Sequence, residues 1–114
     1  MVKPKGHIGS GGSLSPTVGS DLEELVTERL GNIVEEETGR KLGELNIVTE
    51  VSEISSGSVR VRFRPLSAYS PLAVDIGRSI RDAAKSVDGV KEVRVECGGH
   101  MMDDLVNKIV NRAS

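Results

Sequence analysis

The sequence predicts an α+β domain: a two-layer sandwich of order α-β-β-α-β-α, with a three-stranded mixed sheet and its helices on one face. Three observations lead there. Val59, Val61 and Phe63 alternate strictly with Arg60, Arg62 and Arg64, which is a half-buried strand with a charged outer face. Segments on either side of that strand carry apolar residues at helical spacing. A strand that follows a helix and belongs to the same sheet needs a crossover, which makes it parallel to the strand before the helix. A sheet charged on one face can bury only the other, so all helices belong on that side.

The elements follow in order. Ser20 and Glu23 have the spacing of a capping box, and Leu22, Leu25, Val26, Leu30, Ile33 and Val34 form one stripe. Together they predict a first helix from Asp21 to Glu37, stopped near Gly39. From Leu45 the period becomes two: Leu45, Ile47, Thr49 and Val51 share one strand face, and Ser55-Ser56-Gly57 turns the chain into the arginine-bearing strand. Pro65 ends that strand. Ser70 as cap and Pro71 at the first helical position predict a second helix, with Ala73, Ile76, Ile80, Ala83, Ala84 and Val87 buried. Asp88-Gly89 turns the chain into a third strand with Val93, Val95 and Cys97 on one face. Gly98-Gly99 ends it, and Met101 or Met102, Leu105, Val106, Ile109 and Val110 mark a last helix.

The chain has 114 residues, enough for one domain, expected over residues 20–114. Residues 1–19 are rich in Gly, Ser and Pro and are expected to form a disordered tail, because such a segment buries too little apolar surface to offset its ordering entropy. No apolar run approaches the ~20 residues of a membrane span. One cysteine excludes an internal disulfide framework, and with no secretory signal in residues 1–20 the chain reads as cytoplasmic. A net charge of −2 gives no general attraction to nucleic acid or anionic lipid, so neither is an expected partner.

Three places carry chemistry. Ser67, Tyr69, Ser70 and Pro71 lie in a strand-to-helix loop, where free N–H groups and the helix dipole favour an anion or a recognition contact. The plainer reading makes Ser70 an N-cap. Cys97 and His100 form C-x-x-H, a soft and a borderline metal ligand at close spacing. A closed site needs more donors, which a second subunit would supply, and the plainer reading makes Cys97 a small buried hydrophobe. Arg60, Arg62 and Arg64 make a basic row that fits an anion or a partner face, or simply pairs across strands with Glu50, Glu92 or Glu96. A module binding protein or RNA through that row is the alternative function. The chain contains no G-x-S-x-G, Walker loop, G-x-G-x-x-G, H-E-x-x-H or C-x-x-C, which points away from an enzyme.

Three segments taken together resemble the iron–sulfur cluster assembly domain family (FSCA), including its SufT-like and PaaD-like proteins. They are Gly57-Ser58-Val59-Arg60-Val61-Arg62-Phe63, Ser67-Ala68-Tyr69-Ser70-Pro71-Leu72-Ala73, and Val87-Asp88-Gly89-Val90-Lys91-Glu92-Val93-Arg94-Val95. The family pattern is a strand, a loop like S-P-x-C-P-L-A, a helix and a G-V-x-x-V-x-V strand. Upstream, its D-P-E turn falls on Glu35-Glu36-Glu37 and its L-G-L-V on Leu45-Asn46-Ile47-Val48. Ser70 stands where many members carry the loop cysteine, so the cap is kept and the soft ligand is not. The resemblance implies the same fold and a non-enzymatic accessory role, as adaptor or carrier, in iron–sulfur cluster assembly or metalloprotein maturation. Its implied partners are client or scaffold proteins; a homodimer is expected only from the ligand count at Cys97 and His100. If iron or an iron–sulfur cluster is handled, the residues themselves, not the family pattern, point to Cys97 and His100 as the ligands, in a transient site shared between subunits, with the Ser70 loop as the recognition surface.

Overall fold

Ser20 starts the first helix as its spacing predicts. Its Oγ accepts from the Glu23 amide at 3.0 Å and Glu23 Oε1 accepts from the Ser20 amide at 3.2 Å. The structure, a computed structural model, describes residues 19–112. The expected N-terminal tail therefore lies, apart from Gly19, outside the described residues. Helix α1 runs Asp21–Gly31 and buries Val26 and Leu30. The second oxygen of Glu23 accepts from the Glu53 amide at 2.7 Å, which ties the helix start to the first strand.

Helix α1 ends six residues earlier than its apolar stripe predicts, and Glu35 holds the chain beyond it out of helix. Its carboxylate accepts from the Glu37 amide at 3.0 Å, the Thr38 amide at 2.8 Å and the Thr38 hydroxyl at 2.8 Å. Those two amides are the donors a continuing helix would have sent to Ile33 and Val34. The chain folds into a tight turn instead, closed by Glu35 N–H to Arg40 O at 2.7 Å, with Gly39 in the left-handed region at φ 72°.

A one-turn helix α2 (Leu42–Leu45) follows, so Leu45 is helical rather than the first strand residue. It packs on α1 through two glycines: a Cβ on Gly43 would sit 3.2 Å from Gly31 O. Asn46 then takes a left-handed cap at φ 56°.

Strands β1 (Val48–Ser55) and β2 (Ser58–Phe63) pair antiparallel, and β3 (Glu92–Cys97) pairs parallel to β2, giving the sheet order β1-β2-β3. Val59, Val61, Phe63 and Val95 are buried under the helices, as the alternation requires. The simple alternation fails in β1. A register shift between Val48 and Glu50 inserts one extra residue, so Val48 and Val51 are buried while Thr49, expected on the core face, is exposed.

Helix α3 (Ala73–Lys85) buries Ala73, Ile76, Gly77, Ile80 and Ala84. Its cap position is Leu72, not Ser70. Ser70 lies upstream in consecutive turns, with its amide bonded to Ser67 O and its own carbonyl accepting from Ala73 N–H. Helix α4 (Asp103–Arg112) buries Val106 and Val110. Met101 and Met102, expected to mark this helix, precede it and are 66% and 50% exposed. The result is the two-layer α+β sandwich, with helices covering one face of a three-stranded mixed sheet.

Candidate functional site at the carboxyl ends of the parallel strands

Strands β2 and β3 run in the same direction, so the loops leaving them emerge at one end of the sheet. Residues 64–72 leave β2 and residues 98–102 leave β3. Hydrogen bonds clasp the two. Met101 N–H donates to Ala68 O at 2.9 Å, and His100 Nε2 lies 3.0 Å from Ser70 O. His100 Nδ1 accepts from the Met102 amide at 3.0 Å, which places the ring proton on Nε2, directed at Ser70 O. Asp103 Oδ1 accepts from the His100 amide at 2.8 Å. The fold thus gathers Ser70, His100, Cys97 and Asp103, although 30 residues separate Ser70 from His100.

The links run through main-chain atoms. Ser70 is buried, and its Oγ accepts from the Leu72 amide at 3.3 Å, while the imidazole meets only the Ser70 carbonyl. A nucleophile and base must share a side-chain hydrogen bond, and here they do not.

Cys97 is buried, at 5% exposure. Burial, and then the adjacent Asp103 carboxylate to which it hydrogen-bonds, push its pKa up to about 12. At neutral pH it is a protonated donor to Asp103. Both His100 nitrogens are engaged as well. Among the described residues no three His, Cys, Asp or Glu side chains stand together as a metal-holding group. In this arrangement an iron ion or cluster at C-x-x-H would have to displace the thiol proton and the hydrogen-bond partners of both side chains.

A thiol-specific reagent gives a direct check. With a pKa of about 12, roughly one Cys97 in ten thousand is thiolate at pH 8. Labelling of the folded protein is expected to be slow, and labelling in denaturant rapid. Equal rates would show the thiol to be open.

The arginine row divides. Glu50 bridges Arg60 Nη2 at 3.1 Å and Arg62 Nη1 at 3.2 Å, and Glu96 bridges Arg62 Nε at 3.0 Å and Arg94 Nε at 3.4 Å. The Ser52 hydroxyl and Arg60 hold Glu50 below the usual carboxylate range. Arg60 and Arg62 are thus paired across strands. Arg64 instead lies over the β3 loop, where a Cβ at Gly99 would fall 2.7 Å from its Nε. With Thr49, Arg62, Cys97 and Gly98 it lines an open groove of about 440 Å³ at the same end of the sheet.

Sequence reasoning did not single out Glu35 as a site residue. It is 1% exposed and lines a cavity of about 40 Å³ with Ile33, Leu42, Leu72, Asp75 and Ile76. The turn at residues 35–39 and the end of the β2–α3 loop therefore meet at one place. The sequence signals were the family's D-P-E turn, which falls on Glu35-Glu36-Glu37, and Gly39 just after it.

Burial opposes ionisation of Glu35, but the Glu37 amide and both Thr38 donors outweigh it and lower the pKa from 4.5. A carboxylate with a depressed folded pKa contributes stability above its unfolded pKa and loses it as pH falls through the folded value. Glu35→Gln is expected to cost about 1 kcal/mol at pH 7. It is also expected to flatten the loss of stability below about pH 4.5. Urea midpoints across pH 2–7 check both.

A sequence model of the family described as iron–sulfur cluster assembly protein matches residues 23–97. The chain belongs to the iron–sulfur cluster assembly protein family. The match to this family ends at Cys97, the last residue of β3, and leaves α4 outside it. An uncharacterised protein of Methanocaldococcus jannaschii is 24% identical over 88 residues, covering 77% of this chain and 93% of that protein. The crystal structure of a domain of unknown function, DUF59, from Bacillus anthracis superposes with a TM-score of 0.64 at 17% identity. That superposition covers 81% of this chain and 90% of the DUF59 domain, and it shows the shared fold. Among the described residues no helix is long and apolar enough to cross a membrane.

Proposed function

We propose that the chain is a non-enzymatic accessory factor of iron–sulfur cluster assembly, acting in the cytoplasm as an adaptor that docks a client or scaffold protein on its clasped loops. One observation carries the reading beyond the family. Of eight large apolar side chains exposed among the described residues, five lie on the two loops and the first turn of α4: Leu66, Tyr69, Met101, Met102 and Leu105. Exposed apolar side chains gathered in one place mark an interaction surface, whereas scattered ones need no explanation. Tyr69, 73% exposed, and the flexible methionines suit an adaptable docking contact. The protonated Cys97 and the doubly bonded His100 support the adaptor over the carrier.

Two experiments test this. In the native host, loss of the protein is expected to lower the activity of iron–sulfur enzymes, and the wild type to restore it. Tyr69→Asp with Met101→Asp, on exposed positions that leave the fold intact, is expected not to restore it; full restoration would remove the docking surface. Anaerobic incubation with ferrous iron and sulfide is expected to leave the protein colourless, with or without Cys97→Ala. A coloured, Cys97-dependent species would transfer the reading to a carrier, with the cluster as cargo held between two subunits.

A further inference from the structure

Strand β3 is an edge strand, yet its outer edge is not bare. Alternate residues turn their main-chain groups toward β2, as the Gly98 amide does to Phe63 O at 2.9 Å, so Val93, Val95 and Cys97 direct theirs outward. Helix α4 meets the last two, Val95 and Cys97, with two asparagines one turn apart. Asn111 Oδ1 accepts from the Val95 amide at 2.8 Å and Asn111 Nδ2 donates to the Val95 carbonyl at 2.6 Å. Asn107 Oδ1 accepts from the Cys97 amide at 2.5 Å. A second Asn111 bond, to Asn107 O at 2.8 Å, fixes the side chain in place. The pair of bonds at Val95 is the pair that a residue on a neighbouring antiparallel strand would make. The asparagines thus occupy the positions of a fourth strand, and they do so from the element that lies beyond the family match.

The edge beneath them is self-complementary. Let two β3 strands run antiparallel with Val95 opposite Val95. Arg94 of each copy then faces Glu96 of the other, on the exposed side of the sheet. Val93 faces Cys97 on the buried side, and every outward main-chain group meets an outward partner. One register satisfies the charges, the apolar face and the hydrogen bonds together.

We propose that the outer edge of β3 is a pairing surface for a second copy of this chain, held closed by α4 through Asn107 and Asn111. Opening it joins two three-stranded sheets into one of six strands. The closed form keeps an unprotected edge from assembling, which natural sheets otherwise prevent with charges or bulges.

Sedimentation of the full chain tests the proposal. The wild type is expected at its monomer mass of 12.2 kDa. Two separate variants loosen α4: Asn107→Leu with Asn111→Leu, which removes the mimicry, and Val110→Ala, which weakens the packing. Each is expected to double the mass in a concentration-dependent way. Adding Arg94→Glu to either is expected to return the monomer, since it sets like charges opposite one another. Mixing the Arg94→Glu form with a Glu96→Arg form is expected to restore the doubled mass as a mixed dimer. Folded monomers from both loosened variants would overturn the proposal, as would a dimer indifferent to Arg94→Glu. Loss of the fold in both without dimerisation would also overturn it, because α4 would then be an obligatory part of the core rather than a guard.

Discussion

Phe63→Ala is expected to cost the domain about 3–5 kcal/mol of stability, enough to endanger a fold of this size. The ring is the largest fully buried side chain among the described residues, at 1% exposure. It stands at the centre strand's carboxyl end, opposite Val48 on one side and Cys97 on the other. Its Cε1 would lie 3.4 Å from a Cβ on Gly77, so it also fills the space beneath α3. Removing it leaves a cavity bounded by a sheet and two helices, none of which collapses without breaking main-chain hydrogen bonds. The Phe63 carbonyl holds the Gly98 amide, so the loss is felt at the clasped loops as well. Denaturant titration measures the cost, and the exposed control Tyr69→Ala is expected to change stability by less than about 0.5 kcal/mol. A similar small change for Phe63→Ala would invert the face assignment of β2.

That face assignment was readable without coordinates, because the pleat admits only two faces and one of them carried three arginines. The Ser20–Glu23 cap and the α3 stripe were readable for the same reason: both are local patterns with a fixed period. The turn at Glu35 was not legible in periodicity, and only the resemblance put a turn there. Ile33 and Val34 continue the helical spacing, and periodicity does not reveal that one carboxylate will take the amides two and three residues on. The β1 bulge and the exposure of Met101 and Met102 were hidden because they depend on what the other strand and α3 leave uncovered. C-x-x-H was visible as a spacing, but the directions of its side chains were not. Cys97 turns to Asp103 because the thiol is buried beside that carboxylate, and His100 turns to Ser70, a residue in another loop. The spacing alone suggested a ligand pair; the tertiary partners occupy both groups.

Gly77→Val is expected to be the second most damaging change, at about 1–3 kcal/mol, with its effect concentrated on α4. A glycine inside a helix costs about 1 kcal/mol relative to alanine, so its place in mid-α3 calls for a reason. The reason is steric. A Cβ there would lie 2.7 Å from Val110 Cγ2 and 3.3 Å from Cγ1. Val110 is fully buried, and its branched side chain has few rotamers with which to yield. The strain must therefore push α4 outward or twist α3. Helices α3 and α4 both pack on β3, but α3 is held by α1 as well, so α4 is the part that gives. Amide exchange is expected to show it: the Val95 and Cys97 protons, which Asn111 and Asn107 accept, lose protection well before those of β2. Combining Gly77→Val with Val110→Ala relieves the collision, so the double variant is expected to be more stable than the sum of the two single losses predicts. Simple additivity would mean that the two side chains do not meet, and that the close approach of α4 to α3 has another cause.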